Sequence, residues 1–495
     1  MILPSGFGFQ FNHFFGHEMS SSQKKALSSL LSYFEDAPDG ALFVLKGYAG
    51  TGKSSLVGAL CRTLLFYYKP VVLLAPTGRA AKVLGGYCSA SAYTIHRVIY
   101  RQKRVSFLEE RFDKDRNSYP EGTVFIVDEA SMIGNEEDVS GMFGSGRLLE
   151  DLLDFVFSTS GSKVVFIGDD AQLPPVGTTI SPALDVEFLK AYCSEIHTAV
   201  LTDIVRQAEQ SDIVRLGSLL RDHILLLQQE LSATGSTEHI PPLSPIPFVP
   251  QKDGDVSILR GEELPEALDR SMRDHSVDDV VVVTRSNKDA EAFNVEIRRR
   301  QFDYETALVQ GERLMVVRNN YFYFPGCEEE KQRRTPTRFS ANGEVLTVKR
   351  LGKVRELYNF TFADVTLETE TEEQFEAKVI MDSLLNASPA LSLEQRQELF
   401  DEVRQDYPEL TTKAQLYPVM RQHPYLNALQ VKYAYAMTCH KSQGGQWKDV
   451  YVYIGYLTEE MMSLDFYRWL YTAVTRATGH LYFVNPSKLL FEIEE

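Results

Sequence analysis

No run of roughly 18 consecutive apolar residues occurs anywhere in the chain of 495, so the sequence offers no segment long enough to span a bilayer. The opening stretch, MILPSGFGFQFNHFFGHEMS, lacks the basic start and apolar centre of an export signal, and no export is expected. Cysteine is scarce: the five residues Cys61, Cys88, Cys193, Cys327 and Cys439 are scattered without a C-x-x-C pair. That argues against a disulfide framework and a zinc site, and it fits a reducing cytosol. An excess of basic charge is also missing, since 51 Lys and Arg face 68 Asp and Glu for a net charge of -17. A generally sticky nucleic-acid coat is therefore excluded, although a local groove can still be basic. The chain has no internal repeat and no low-complexity tract beyond the proline cluster IPPLSPIPFVP at 240–250, which marks a linker or surface loop because closely spaced prolines cannot sit inside a helix or central strand. A nuclease-like cluster of carboxylates and lysine is absent as well.

What is present is an ordinary globular composition, 44% hydrophobic and 24% charged, in a chain long enough for about two to four domains. Between residues 40 and 200, short apolar β-branched runs alternate with helical stretches: ALFVLKG, VVLLAPT, TVFIVDEA and KVVFIGDD. Such runs read as buried parallel strands. Ligands bind at the carboxyl ends of strands in an open α/β sheet, so chemistry is expected at 47–54, 76–77, 128–129 and 168–172. The charged stretch IYRQKRVSFLEERFDKDRNSYPEG, between the second and third of these strands, is too long for a plain connection and suits an inserted hairpin. A second α/β pattern follows in DDVVVVTRS, NKDAEAFNVEIRRR, GERLMVVR, DVYVYIG and HLYFVN. Within it, alternation of period two over EVLTVKRLG and NFTFADVTLETETEEQFEAKVI favours a small antiparallel sheet or barrel, followed by the acidic helical run LSLEQRQELFDEVRQDY.

GYAGTGKS matches G-x-x-x-x-G-K-[ST] in full, after an expected strand and before an expected helix. Gly47, Gly50, Thr51, Gly52, Lys53, Ser54 and Ser55 then form a phosphate cradle for ATP. Backbone N–H groups wrap the phosphates, Lys53 reaches the β and γ phosphates, and Ser54 is a ligand for Mg²⁺. VFIVDEAS supplies the complement, with Asp128 for the magnesium and Glu129 to orient and deprotonate a water. In FIGDDAQLPPVG, Gln172 is suited to sense the γ-phosphate, because its amide both donates and accepts hydrogen bonds.

In this order the motifs resemble those of superfamily 1 helicases of the 1B branch, RecD-like and Dda-like, over nearly the whole chain from MSSSQKKAL to YTAVTRATGHLYFV. The resemblance implies that Gln23 recognises adenine, that LAPTGRAAKVL and YTIHRVIY contact a strand, and that Arg206 of LTDIVRQ and Arg476 of YTAVTRA act on the γ-phosphate. YAYAMTCHKSQGGQW is similar to the fifth motif of that family. A track for single-stranded DNA is then expected from Pro76, Thr77, Arg79, Thr94 and His96 in the first lobe and Asn342, His440, Lys441 and Ser442 in the second.

The implied fold is α/β: two tandem RecA-like parallel-sheet domains, with a β-hairpin pin inserted in the first and an SH3-like β-barrel in the second. The expected divisions are 1–198 for the N-terminal segment and first domain, with the pin at about 100–121; 199–342 and 426–495 for the second domain; and 343–425 for the inserted SH3-like and helical subdomain. No Asn-Gly or Asp-Gly turn sets the pin's register. Phe107 is the candidate wedge. The implied activity is ATP-dependent 5′ to 3′ translocation on single-stranded DNA and unwinding of duplex DNA, in replication, recombination or repair. A protein-remodelling or signalling switch and a helicase subunit of a nuclease complex are the alternatives. The expected partners are single-stranded DNA, single/double-strand junctions and single-strand-binding or recombination proteins, without a membrane. The expected state is a monomer in the cytoplasm, nucleoid-associated in a prokaryote.

Overall fold

The computed structural model describes residues 4, 6–103, 111–137, 143–204, 211–320, 322–323, 340, 342–370, 372–385, 388 and 390–491. The chain divides into two compact units, one of Met1–Tyr100, Lys114–Val283 and Ser442–Glu495, the other of Arg101–Asp113 and Thr284–Lys441. No helix among the described residues is long and apolar enough to cross a membrane.

The first unit is built on parallel sheets. β1 (Leu42–Gly47), β2 (Val71–Ala75) and β3 (Ala92–Thr94) come first, and β6 (Val124–Val127), β7 (Lys163–Gly168) and β8 (Ile196–Leu201) follow after a separate two-stranded pair, β4 (Tyr100–Lys103) and β5 (Arg111–Lys114), whose residues 101–113 belong to the second unit. The large sheet has the order β3-β2-β6-β7-β1-β8, with each neighbouring pair parallel. β1, β6 and β7 are almost wholly buried, as apolar runs covered on both faces must be. One face carries the Phe7–Phe15, Ser21–Asp36 and Lys53–Phe66 helices. Phe7, Phe11 and Phe15 recur every four residues, so one side of the first helix is buried, each ring contributing about 1.5–3 kcal/mol. β9 (Val256–Leu259) and β10 (Val280–Thr284) belong to a second sheet of this unit.

The second unit is dominated by a closed five-stranded barrel of β11 (Arg313–Val316), β12 (Val345–Leu357), β13 (Phe360–Thr369), β14 (Gln374–Ile380) and β15 (Leu429–Tyr433), with β16 (Ala436–Thr438) following. The alternation of period two is thus realised as a barrel. GERLMVVR, however, is not a strand of the second α/β sheet: β11 pairs antiparallel with β12 and β15 as part of the barrel. Its short apolar run fits either setting, and only the distant partners decide. The acidic run forms the Leu393–Arg404 helix, which buries Leu399, Phe400 and Val403 against Phe360, Phe362 and Ile380. Arg298, on the Asn287–Phe302 helix, makes a buried ion pair with Glu312 at 2.8 Å, and Tyr435 Oη donates to the same carboxylate at 3.0 Å. The last strands, β17 (Trp447–Tyr453) and β18 (Ala477–Val484), return to the first unit, whose share of the five-stranded second sheet runs β10-β17-β18-β9 with β17, β18 and β9 parallel.

Candidate active site

β1 ends at Gly47 and the Lys53–Phe66 helix starts after Gly52, so the turn between them aims backbone N–H groups from a helix N-terminus. Gly50 and Gly52 have φ of 77° and 81°, values side-chain-bearing residues rarely adopt. A Cβ on Gly47 would stand 2.9 Å from Lys53 Cγ and 3.0 Å from Thr51 Oγ1, so the bare backbone lets Lys53 fold across the loop. The Lys53 ammonium donates to Gly47 O and, at 3.1 Å, to Tyr48 O, and it lies 3.7 Å from Asp169 Oδ2. Gln23 braces the loop from below. Its Nε2 donates to Thr51 O at 3.0 Å, while its Oε1 accepts from Ser20 N at 2.9 Å in the capping box of the Ser21–Asp36 helix. Both ends of the amide are engaged, and while the spacing of Ser20 and Gln23 signals the capping box, no local pattern reveals the bond to Thr51. Ser54 and Ser55 are exposed.

β6 carries Asp128 and Glu129 to the same place. Asp128 Oδ1 accepts from Glu129 N and Oδ2 from Tyr87 Oη, each at 2.9 Å. Burial pushes both carboxyls above the ordinary carboxylate range; at Glu129 the charge of Arg476 opposes the rise. Gln172 is 5% exposed, and its Oε1 has no hydrogen-bond donor among the described residues. A cavity of about 590 Å³ joins these groups, lined among others by Lys53, Ser54, Asp128, Glu129, Gln172 and Arg476. Its volume suits a nucleotide, with one orphaned amide oxygen on the wall. A serine hydroxyl and one carboxylate fit Mg²⁺, which usually takes one or two protein carboxylates and fills its remaining positions with water and phosphate.

The far wall comes from the Leu464–Val474 helix and the turn after it. Arg476 is 3% exposed and donates to Thr472 O at 3.0 Å, Gly445 O at 3.1 Å and Thr475 Oγ1 at 3.2 Å. Tyr471 Oη donates to Asp169 Oδ2 at 2.7 Å and accepts from Ala49 N at 3.0 Å, so this helix is bonded directly to the phosphate-loop backbone. Thr472 Oγ1 accepts from Leu173 N at 2.9 Å, and Gln443 Nε2 donates to Leu173 O at 2.9 Å. Arg221, from the Asp212–Thr234 helix, also lines the cavity with its guanidinium 4.9 Å from the Tyr48 ring centre. Tyr87 and Arg221 escaped sequence reasoning, because a tyrosine or arginine at helical spacing carries no motif, and so did Tyr471 within YTAVTRA, because nothing in the run shows its distant partners.

The strand-track residues of the first unit lie at the carboxyl ends of β2 and β3. Pro76 follows β2, and Thr77 caps the Gly78–Cys88 helix by accepting from Ala80 N at 3.2 Å. Arg79 stacks on Trp447 with its guanidinium 3.9 Å from the ring centre. Thr94 caps the next helix at 3.3 Å from Arg97 N, and the His96 ring meets Phe143 edge-on at 4.9 Å. Ser442 is buried in this unit. In the second unit, Asn342 and His440 are exposed, while burial and the neighbouring Lys432 charge hold the Lys441 ammonium below its usual range. Arg206 and Phe107 lie outside the described residues.

Residues 18–236 match the family model of an AAA domain, and residues 433–484 that of a UvrD-like helicase C-terminal domain. An uncharacterized protein of Methanocaldococcus jannaschii is 23% identical over 480 residues, 90% of this chain and 37% of its own length. The ATP-dependent RecD2 DNA helicase of Deinococcus radiodurans is 31% identical over 174 residues, 35% of this chain and 21% of its own. The ATP-dependent DNA helicase Pif1 of Bdellovibrio bacteriovorus is 34% identical over 167 residues, 33% of this chain and 34% of its own. The chain thus spans between about a fifth and somewhat over a third of the length of these relatives.

Proposed function

We propose that this chain, a relative of the superfamily 1B RecD/Pif1-like helicases, is an ATP-dependent DNA helicase that moves 5′ to 3′ along single-stranded DNA and separates duplex DNA. The observation that carries the reading is one cavity lined by Lys53, Ser54, Asp128, Glu129, Gln172 and Arg476, a full set for phosphoryl transfer to water. The role of each follows from its chemistry. Phosphates entering the loop draw Lys53 from Gly47 O and Tyr48 O, and backbone N–H groups of the glycine turn complete the cradle. Ser54 and Asp128 would hold Mg²⁺, which supplies charge neutralisation across the phosphates. Glu129 takes a proton from the attacking water, which burial favours by raising its basicity. Gln172 offers its unpaired oxygen. Arg476 steadies the charge that develops on the transferred group, as Arg206 would from the segment before the Asp212–Thr234 helix.

The bond from Gln443 to Leu173 supports a coupled motor, because it joins the neighbour of the strand-track residue Ser442 to the segment after Gln172, as the bonds between Ala49 and Tyr471 and between Leu173 and Thr472 join the nucleotide loops to the helix before Arg476. Single-stranded DNA would be gripped by Pro76, Thr77, Arg79, Thr94, His96, Asn342, His440, Lys441 and Ser442. The β4–β5 hairpin would serve as the pin and the five-stranded barrel as the SH3-like insertion of the second RecA-like domain. The substrates are single-stranded DNA and its junctions with duplex, the setting replication, recombination or repair in the cytoplasm, and the working form a monomer.

ATP turnover with and without a short poly-dT strand tests the reading. Strong stimulation is expected, and an indifferent rate favours a nucleotide switch. Replacing 103–115 by a Gly-Ser turn tests the pin: DNA-stimulated turnover should survive while strand separation falls, and unchanged unwinding eliminates that assignment.

A further inference from the structure

The Lys53–Phe66 helix, which opens the nucleotide site, crosses the Gly78–Cys88 helix at a point where no side chain fits. A Cβ on Gly58 would come within 2.6 Å of Tyr87 O and 3.4 Å of its carbonyl carbon. Backbone oxygen cannot yield as a flexible side-chain tip does, so any other residue at 58 would force the two helices apart. Gly58 lies four residues after Ser54, one turn along the same helix face. The crossing therefore seats Tyr87 beside the part of the cavity lined by Ser54 and Asp128.

At that corner the Tyr87 phenol donates to Asp128 Oδ2 at 2.9 Å, and Tyr87 lines the same cavity as Ser54 and Asp128. The other oxygen, Oδ1, accepts from Glu129 N at 2.9 Å. One fixed donor on each oxygen removes the freedom of the carboxylate to rotate about its Cβ–Cγ bond, and each oxygen keeps acceptor capacity to spare. The Glu129 N–H belongs to the strand end itself. The phenol is brought in by a separate helix, through a contact that depends on the absence of a side chain at Gly58. A core tyrosine satisfied by chance would need neither a carboxylate partner on the cavity wall nor that close helix crossing.

We propose that Tyr87, seated by Gly58, is a positioning residue for the divalent cation of the bound nucleotide: its phenol holds the Asp128 carboxylate in the orientation that takes up Mg²⁺ together with Ser54. The proposal rests on the nucleotide-site reading above. Partners that orient a metal-ligating carboxylate are typically worth about 10- to 100-fold in metal affinity. The same helix begins at Thr77 and Arg79 of the strand track, so a strand bound there would act on the metal corner through one rigid element.

The test is equilibrium binding of a fluorescent ATP analogue to the full chain, first in EDTA and then along a Mg²⁺ titration, for wild type, Tyr87→Phe and Gly58→Ala. Tyr87→Phe should keep its metal-free nucleotide affinity while its Mg²⁺ midpoint rises about 10- to 100-fold. Gly58→Ala, which retains the phenol but displaces it, should shift the midpoint in the same direction. An unchanged midpoint in Tyr87→Phe overturns the proposal, as does equal weakening with and without Mg²⁺, the mark of a merely structural residue. A wild-type chain that binds no nucleotide under either condition sinks the nucleotide-site reading itself, and the proposal falls with it.

Discussion

Replacing Tyr471 by phenylalanine removes a single oxygen from a site that is 1% exposed and leaves the ring in place. That oxygen donates to Asp169 Oδ2 at 2.7 Å and accepts from Ala49 N at 3.0 Å. Asp169 is itself 1% exposed, with Ala171 N donating to Oδ1 at 3.1 Å and the Lys53 ammonium 3.7 Å from Oδ2. Without the phenol, Oδ2 loses a hydrogen bond to a charged group, worth about 1.5–3 kcal/mol. The nearby cation that can compensate is Lys53. Whatever part of that energy Lys53 recovers by moving onto Asp169 must be given up again when phosphates draw it away. Full recovery would weaken ATP binding by roughly 10- to 100-fold, and partial recovery puts the expected loss near tenfold. Equilibrium binding of a fluorescent ATP analogue reads this directly. A double-mutant cycle sharpens it, because in a Lys53→Ala background the competing ammonium is gone and Tyr471→Phe should cost much less. Wild-type affinity in a folded Tyr471→Phe variant, or an equal loss in both backgrounds, would show that Lys53 does not move onto Asp169.

Lys53→Ala should abolish hydrolysis and leave the melting transition in place, since it deletes only the cation facing the phosphates; near-normal turnover would rule out the nucleotide site. Glu129→Gln should bind ATP with Mg²⁺ normally and turn it over about 10²- to 10⁴-fold more slowly, measured by phosphate release; loss of binding would assign Glu129 another task. Arg476→Ala should lower kcat far more than nucleotide affinity, and equal losses would point to a contact made before the transition state. In the second unit, Arg298→Met strands the buried Glu312 carboxylate and should destabilise the unit by about 3–5 kcal/mol in urea unfolding; a change too small to resolve would contradict the ion pair's burial.

The strands beneath the nucleotide site were legible because they are short β-branched runs bounded by glycine, proline or acid, as in β1, β2, β6 and β7. β3 is three residues long and β8 lies at the sheet edge with mixed exposure, so neither leaves a periodic signal. β11 reads like a buried parallel strand, yet its partners are β12, some 30 residues on, and β15, over 100 residues on. Composition within a strand carries no information about partners so far away. The same limit applied to the candidate site. The loop of Gly47, Lys53 and Ser54 and the acidic pair Asp128 and Glu129 are local motifs whose chemistry follows from spacing. Tyr87 matters through a hydrogen bond to a residue 41 positions away and looks in sequence like any aromatic on a buried helix face, while Tyr471, the first residue of YTAVTRA, matters through bonds to residues 302 and 422 positions away that the motif does not show.

The proposed function requires that ATP hydrolysis in this cavity drive strand separation. Its most direct measurement is the release of a labelled strand from a duplex carrying a 5′ single-stranded tail, compared with one carrying a 3′ tail, in the presence of Mg²⁺ and either ATP or a non-hydrolysable analogue. Release is expected from the 5′-tailed duplex with ATP and none with the analogue or with Lys53→Ala. Turnover of ATP without release from either duplex, or release that persists with the analogue, would contradict it.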